Sequence, residues 1–179
     1  MIELIKFCHG KKGLYIGLVK ISPWLLLMKL GVINIQKGKE KMLSFFFGGM
    51  NESNFNSQCE DFSEKIIPKI IRPDALFQIK KHLSNNEVVV VVSASAGNWV
   101  SPWCRNNNIS CICTKLNVQN NTITGKINGN NCTGNEKVNR IRQAINLDLY
   151  SRIFCYGDTK GDMPMLKLAT DPFYKEFTG

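Results

Sequence analysis

VVVVVSAS, residues 88–95, is the stretch that decides the fold of this chain. Its five consecutive valines carry no charge, and such a run of β-branched residues predicts a strand buried on both faces, as in a parallel sheet. Further elements are predicted in the same half of the chain: strands over 109–114 and 152–156, and helices over 99–106, 134–145 and 162–169. This alternation of strands and helices is typical of an α/β fold.

The N-terminal part has a different character. Up to about residue 70 the apolar residues recur at mixed spacings of three and four, which predicts helices. The pattern changes at Arg72-Pro73. We therefore predict two units: an all-helical module of residues 1–70, and an α/β core of residues 71–179 that also contains a hairpin around residues 119–121.

The most hydrophobic stretch runs over residues 13–35. Lys20 and Lys29 interrupt it, and a lysine near the centre of a spanning helix costs about 2.5–3.5 kcal/mol. We predict two short helices instead of a membrane span, with Ser22-Pro23 starting the second. Peripheral contact with a membrane surface stays open, because the stretch is apolar and flanked by lysines. The flanking lysines are Lys11, Lys12, Lys37, Lys39 and Lys41.

The overall charge and the cysteines narrow the class of protein. The formal net charge is +9, but the lysines are scattered and no arginine-rich or aromatic-interleaved stripe occurs, so no nucleic-acid partner is predicted. The seven cysteines are an odd number and show no zinc-binding pattern. No secretory signal is visible at the N-terminus. We therefore expect reduced cysteines in a cytoplasmic protein.

Ser93-Ala94-Ser95 follows the valine strand directly. In open α/β sheets, ligands bind beyond the carboxyl ends of the strands. A hydroxyl and backbone N–H groups at that position can hold a phosphate. Taken alone, the serines are better explained as ordinary caps of the segment that follows.

Two further polar clusters follow the same logic. Lys137, at a predicted helix start, could neutralise charge on a phosphoryl group, but taken alone it is better explained as an ordinary surface lysine, because exposed lysines are common. Asp158 and Asp162 lie four residues apart in a glycine-rich turn after a strand, which suits Mg²⁺ because that ion prefers oxygen ligands. The alternative, helix capping, explains Asp162 better than Asp158.

The order of these clusters resembles motifs two, three and four of the haloacid-dehalogenase superfamily phosphatases. Three stretches are similar to the phosphoserine-phosphatase-like branch of that superfamily: VVVVVSASAGNWVSPWC (88–104), NCTGNEKVNRI (131–141) and YGDTKGDMPMLKLA (156–169). The resemblance covers nearly the whole chain. It implies a Rossmann-like core with a parallel sheet, and it implies that the N-terminal helices form a cap that selects the substrate.

The resemblance also implies a role for each site residue. Ser93 and Ala94 would bind the phosphate of a small phosphorylated substrate. Lys137 would steady both that phosphate and an attacking carboxylate. Asp158 would ligate Mg²⁺, with Asp162 supporting the metal site directly or through water. The reaction implied is hydrolysis of a phosphomonoester through an aspartyl-phosphate.

One motif of the family, Asp-x-Asp-Gly-Thr, does not occur in this sequence. In the family its first aspartate is the nucleophile, and its strand lies between the strands predicted here at 88–92 and 152–156. We therefore expect a gap of about 10 Å between those strands, and an inactive or severely impaired chain. We expect the true start to lie upstream of Met1. The alternative is a degenerate relative that binds phosphate or a partner without turnover.

The fourth motif departs from the family at one position. Some relatives carry an asparagine immediately before the last aspartate, where it contacts phosphate, and this sequence has Gly161 there. The departure weakens phosphoserine as the expected substrate. The apolar helices of the predicted cap would suit a lipid-like phosphate equally well.

Overall fold

The structure is a computed structural model, and it describes residues 1–177. Its α-helices are α1 (Ile2–Lys29), α2 (Ile35–Phe47), α3 (Glu52–Lys65), α4 (Ile67–Ile70), α5 (Pro73–Ser84), α6 (Gly97–Asn106), α7 (Asn135–Ala144) and α8 (Met163–Leu166). Its strands are β1 (Val90–Ala96), β2 (Ser110–Thr114), β3 (Leu116–Gln119), β4 (Thr122–Ile127), β5 (Phe154–Gly157) and β6 (Asp171–Tyr174). The α/β class with N-terminal helices is confirmed, whereas the last helix is shorter than predicted and β6 was not predicted.

Helix α1 continues through Pro23, so the prediction of two short helices starting anew at Ser22-Pro23 is wrong. A proline inside a helix leaves the carbonyl four residues earlier without its N–H partner. Here the Ser22 hydroxyl donates to the Val19 carbonyl at 2.8 Å and so satisfies it. The break falls at Gly10 instead, where φ is 69° and ψ is 171°. No helix within residues 1–177 is long and apolar enough to cross a membrane.

The largest apolar core joins the N-terminal helices to the β3–β4 hairpin. The side chains of Leu43, Phe55 and Ile123 are completely buried in it. Strand β4 approaches α2 closely, and the Ser44 hydroxyl donates to the Thr124 carbonyl at 3.1 Å. The hairpin therefore packs against the helical module. Residues from both sides of residue 70 contribute to this core, so the structure does not separate two units there, and the boundary stays a prediction.

The parallel strands form two separate sheets of two strands each. β1 pairs with β2, with Val90 opposite Ser110, and β5 pairs with β6, with Phe154 opposite Asp171. No backbone pairing joins β1 to β5 in the part of the chain that the structure describes. The predicted burial of the valine strand on both faces is wrong, because the side chains of Val90, Val91 and Val92 are only half-buried. We call the space between β1 and β5 the sheet gap.

Candidate active site

A cleft of about 380 Å³ opens at the carboxyl ends of β1 and β5, beside the sheet gap. The residues predicted from the sequence all line it: Ser93, Ala94, Lys137, Asp158 and Asp162. They meet because the carboxyl ends of the parallel strands lie on the same side of the fold, which is where α/β proteins bind ligands. The structure thus brings these residues together, while the role of each one stays a prediction.

Lys137 and Asp162 form a buried ion pair at the base of the cleft. Only 6% of Lys137 and 7% of Asp162 is exposed. The Lys137 ammonium donates to Asp162 Oδ1 at 2.6 Å and to the Val92 carbonyl at 2.8 Å. An ammonium has three N–H donors, so one has no partner among the described residues and is available to an anion in the cleft.

A tight turn orients the Asp162 carboxylate. Its Oδ2 accepts hydrogen bonds from the Thr159 backbone N–H at 3.0 Å and from the Thr159 hydroxyl at 2.7 Å. Burial by itself would raise the pKa of Asp162, but the hydrogen bonds from Lys137 and Thr159 outweigh burial and hold the pKa below its ordinary value. Gly157 makes room for this carboxylate, since a Cβ at that position would lie 2.6 Å from Asp162 Cβ.

Asp158 differs from Asp162 in its environment. Its side chain is 46% exposed, and its Oδ2 accepts a hydrogen bond from Arg72 Nη2 at 3.1 Å. Arg72 Nη1 also donates to the Phe177 carbonyl at 2.6 Å. The sequence indicated Arg72 only through the Arg-Pro pair before α5, and sequence reasoning assigned it no role in the site. Its place in the cleft depends on a contact between residues 86 positions apart.

The oxygen atoms in the cleft suit a Mg²⁺ ion that takes most of its ligands from water and substrate, and only one or two from the protein. Mg²⁺ is commonly bound through one or two carboxylates together with waters and phosphate oxygens. Asp158 offers an exposed carboxylate, whereas the oxygens of Asp162 are taken up by Lys137 and Thr159. Residues 1–177 contain no group of three His, Cys, Asp or Glu side chains arranged to hold a metal ion. Asp158 would therefore be the chief protein ligand, once released by Arg72.

Ser93 lies within β1, whereas the sequence predicted that the strand ends at Val92. The pairing with β2 is irregular between Ser93 and Ala96, so the strand leaves its regular ladder at the cleft. The Ser95 backbone N–H donates to Ser93 Oγ at 3.1 Å. This bond leaves the hydroxyl proton of Ser93 for another acceptor, such as a phosphate oxygen.

Gly161 is the position at which some relatives carry asparagine. A Cβ there would lie 2.5 Å from Thr133 Oγ1, and Thr133 also lines the cleft. The Gly161 carbonyl accepts a hydrogen bond from the Gly134 N–H at 2.9 Å, which ties this turn to the start of α7. The Thr133 hydroxyl thus occupies space that a side chain at position 161 would need.

Lys39 is a residue near the site that sequence reasoning treated only as a flanking lysine. From α2, its ammonium donates to the Ala94 carbonyl and, at 2.7 Å, to Asn131 Oδ1. Thr114 Oγ1 lies 2.7 and 3.0 Å from the same two acceptors, and its single proton can be donated to either of them. This network connects the helical module to the strand end that carries Ser93. Burial lowers the pKa of Lys39 to about 8.

The lowered pKa of Lys39 predicts a pH-dependent stability. The folded-state pKa of about 8 lies below the ordinary 10.5, so the unfolded chain binds more protons between these values. The contribution of Lys39 to the free energy of unfolding should therefore rise with pH across this window, so the stability of the native chain relative to a Lys39→Met variant should be greater at the upper end of the window. Urea unfolding at about pH 7 and about pH 10 measures the difference. Lys37→Met, an exposed change on the same helix, is the control, and identical pH dependence in both variants would contradict the prediction.

Comparison with known proteins identifies a family and a fold for most of the chain. Residues 1–167 match the haloacid dehalogenase-like hydrolase family. Protein CicA of Caulobacter vibrioides is 29% identical in an alignment of 167 residues that covers 91% of this chain and 73% of CicA. Among solved structures, a protein of unknown function from Bordetella pertussis Tohama I is similar with a TM-score of 0.72 at 20% identity, over 84% of this chain and 70% of that one.

A second similar structure is a probable phosphoserine phosphatase from Vibrio cholerae, with a TM-score of 0.66 at 12% identity. The match covers 99% of this chain and 57% of that one. At these identities the two structural likenesses establish the fold.

Proposed function

Because the chain belongs to the haloacid dehalogenase-like hydrolase family, we propose that its cleft binds a small phosphomonoester and hydrolyses it with the help of Mg²⁺. One observation carries the proposal: a hydroxyl, a cation and an exposed carboxylate meet in a single cleft at the ends of two parallel strands. They belong to Ser93, Lys137 and Asp158. These are the groups that phosphoryl transfer needs for binding, for charge neutralisation and for holding a metal ion.

Each residue has a defined task in this proposal. The Ser93 hydroxyl donates to a phosphate oxygen, and the free N–H of Lys137 donates to another. Asp162 orients the Lys137 ammonium through its hydrogen bond. Asp158 would hold Mg²⁺, which neutralises charge on the phosphoryl group when bound.

The nucleophile in the proposal is an aspartate carboxylate on a strand with the Asp-x-Asp-Gly-Thr motif, which this sequence does not contain. We propose that such a strand lies in the sheet gap with its carboxyl end at the cleft, a proposal supported by the lack of backbone pairing between β1 and β5 among residues 1–177. A carboxylate oxygen of the motif's first aspartate attacks phosphorus, and the ester oxygen leaves with a proton donated by the motif's second aspartate. Water then cleaves the aspartyl-phosphate and releases inorganic phosphate. Without that strand, we propose that the chain is inactive or severely impaired.

Hydrolysis of p-nitrophenyl phosphate in the presence of Mg²⁺ tests the proposal. We expect no turnover by the chain of this sequence, and turnover by a form lengthened at its N-terminus with an Asp-x-Asp-Gly-Thr strand. In the lengthened form, Ser93→Ala and Asp158→Asn should each reduce kcat by about 100-fold or more, because each removes a group that stabilises transition-state charge. Asp148→Asn, an exposed change in another turn, should leave kcat unchanged. Turnover that survives both Ser93→Ala and Asp158→Asn would overturn the assignment of the site.

A binding-only role is the second candidate, and the absence of the nucleophile motif from this sequence favours it. A phosphate-binding relative would use Ser93 and Lys137 without turnover. Calorimetric titration with inorganic phosphate distinguishes the two candidates. Phosphate binding by the chain of this sequence, combined with no hydrolysis of p-nitrophenyl phosphate by the lengthened form, would support this second role. In either role we place the protein in the cytoplasm, a proposal supported by its seven free cysteines.

A further inference from the structure

Helix α1 has two apolar faces, and only one of them is packed. Leu14, Gly17 and Ile21 are buried against the rest of the helical module. A second apolar stripe recurs at helical spacing through positions 16, 19, 23, 26 and 30. At about 100° per residue this stripe lies on the opposite side of the helix from the buried face.

The second stripe is open to solvent. The exposed fractions are 59% for Ile16, 73% for Val19, 57% for Leu26 and 67% for Leu30. A helix that is apolar all round is normally enclosed by protein or lipid, and a contiguous exposed apolar surface commonly marks an interaction site. We therefore expect the stripe to be covered by a binding partner.

The charges around the stripe indicate what that partner is. Residues 11–39 contain six lysines and no aspartate or glutamate. Lys20 and Lys29 are exposed and lie on opposite flanks of the stripe, where their long side chains can bury methylene groups and keep the ammonium at a polar boundary. An apolar stripe bordered by cations is complementary to a lipid surface with anionic head groups.

We propose that the second stripe of α1 docks the protein on an anionic membrane surface, with the helix lying parallel to it and the stripe about 5–10 Å deep in the interface. A second copy of the chain is a poorer partner. In a two-fold pairing of α1 with itself, the lysines of one helix would approach those of the other, with no carboxylate in the segment to compensate. The proposal does not depend on phosphatase activity.

Vesicle co-sedimentation of the full chain tests the proposal. The vesicles are phosphatidylcholine alone, or phosphatidylcholine with phosphatidylglycerol. We expect binding to the anionic vesicles, little binding to the neutral ones, and release by high salt. Replacing Lys20 and Lys29 with Gln should reduce the partition coefficient by about 30-fold. Replacing Val19, Leu26 and Leu30 with Asn should reduce it by at least about 100-fold, because the apolar area is lost.

A matched variant controls for a general loss of surface apolarity. Phe77, Val88 and Leu149 are 70%, 65% and 77% exposed and lie outside α1. Replacing these three with Asn should leave vesicle binding unchanged, and circular dichroism checks that every variant keeps its helices. Two results would overturn the proposal. One is no binding of the native chain to anionic vesicles. The other is a dimer in light scattering that the stripe variant abolishes, because that dimer would assign the stripe to a second copy of the chain.

Discussion

Replacing Lys137 with methionine is expected to lower the free energy of unfolding by about 3–5 kcal/mol. The change leaves the Asp162 carboxylate, which is 7% exposed, without the cation that compensates its charge. It also removes the donor to the Val92 carbonyl. Removing one partner of a buried ion pair lowers the free energy of unfolding by more than the intact pair raises it, since the other charge stays buried and unpaired.

The effect of Lys137→Met should depend on pH in a defined direction. The pKa of Asp162 lies below the ordinary 3.8 in the native chain, so the stability that it contributes is present above that value and is lost as the pH falls through the folded-state pKa. In the variant, burial without a cation raises the same pKa, so protonation relieves the penalty. The difference between the two chains should therefore shrink as the pH falls below about 4.

Urea unfolding at neutral and acidic pH measures both effects. Lys160→Met, an exposed change in the turn that holds Asp162, is the control and should alter the free energy of unfolding by less than about 0.5 kcal/mol. The double change Lys137→Met with Asp162→Leu should recover part of the loss, because no charge is then buried. Equal stability of the native chain and Lys137→Met at neutral pH would show that the pair contributes nothing. Activity of the lengthened chain should be lost with Lys137→Met in any case.

Replacing Gly125 with alanine should destabilise the chain by at least about 3 kcal/mol. Its φ is +74°, a backbone conformation that costs an L-residue about 1–2 kcal/mol. A Cβ would in addition lie 2.3 Å from the Ser44 backbone N and Cα. Relieving this overlap would require the backbone of α2 or of β4 to move. The substitution would push β4 away from α2, the helix that carries Lys39.

Gly129 offers a matched control for this prediction. Its φ of +77° is nearly the same, but a Cβ there meets nothing within 4 Å. Gly129→Ala should therefore cost only the conformational part, about 1–2 kcal/mol. Thermal or urea unfolding of the two variants separates backbone strain from steric overlap. An equal loss of stability in both would mean that the contact between β4 and α2 is looser than the structure shows.

Local sequence patterns were sufficient where short-range chemistry decides the structure. The hairpin was predicted from Gln119-Asn120-Asn121, and the structure shows φ of 48° and 56° at the two asparagines, a residue type that tolerates positive φ. The valine run predicted a strand because its side chains favour that backbone. Ser93 and Asp158 stand out as polar residues at strand ends, and Lys137 as a basic residue at a helix start, but it is the resemblance of their order to the phosphatase motifs that favours a functional role for them.

Long-range contacts decided the features that sequence reasoning missed. The pairing of Arg72 with Asp158 and of Lys39 with the Ala94 carbonyl joins segments far apart along the chain, and no local pattern indicates either contact. Strand β6 contains Pro172, which argues against a strand in isolation; pairing with β5 stabilises it nevertheless. The passage of helix α1 through Pro23 is the exception, because it rests on a local contact: the Ser22 hydroxyl satisfies the Val19 carbonyl that the proline leaves free.

Most of the strands and helices follow from periodicity and turn chemistry within short windows of this sequence, with β6 and the passage of α1 through Pro23 as exceptions. The resemblance of three stretches to phosphatase motifs singled out Ser93, Lys137, Asp158 and Asp162 as site residues. Burial follows from what packs on each element, and local windows do not contain that information. The valines of β1 are therefore half-buried beside the sheet gap, and the outer stripe of α1 is exposed, although both segments are as apolar as a protein core. The tertiary structure alone decides which apolar surfaces are covered, because covering them requires residues from distant parts of the chain.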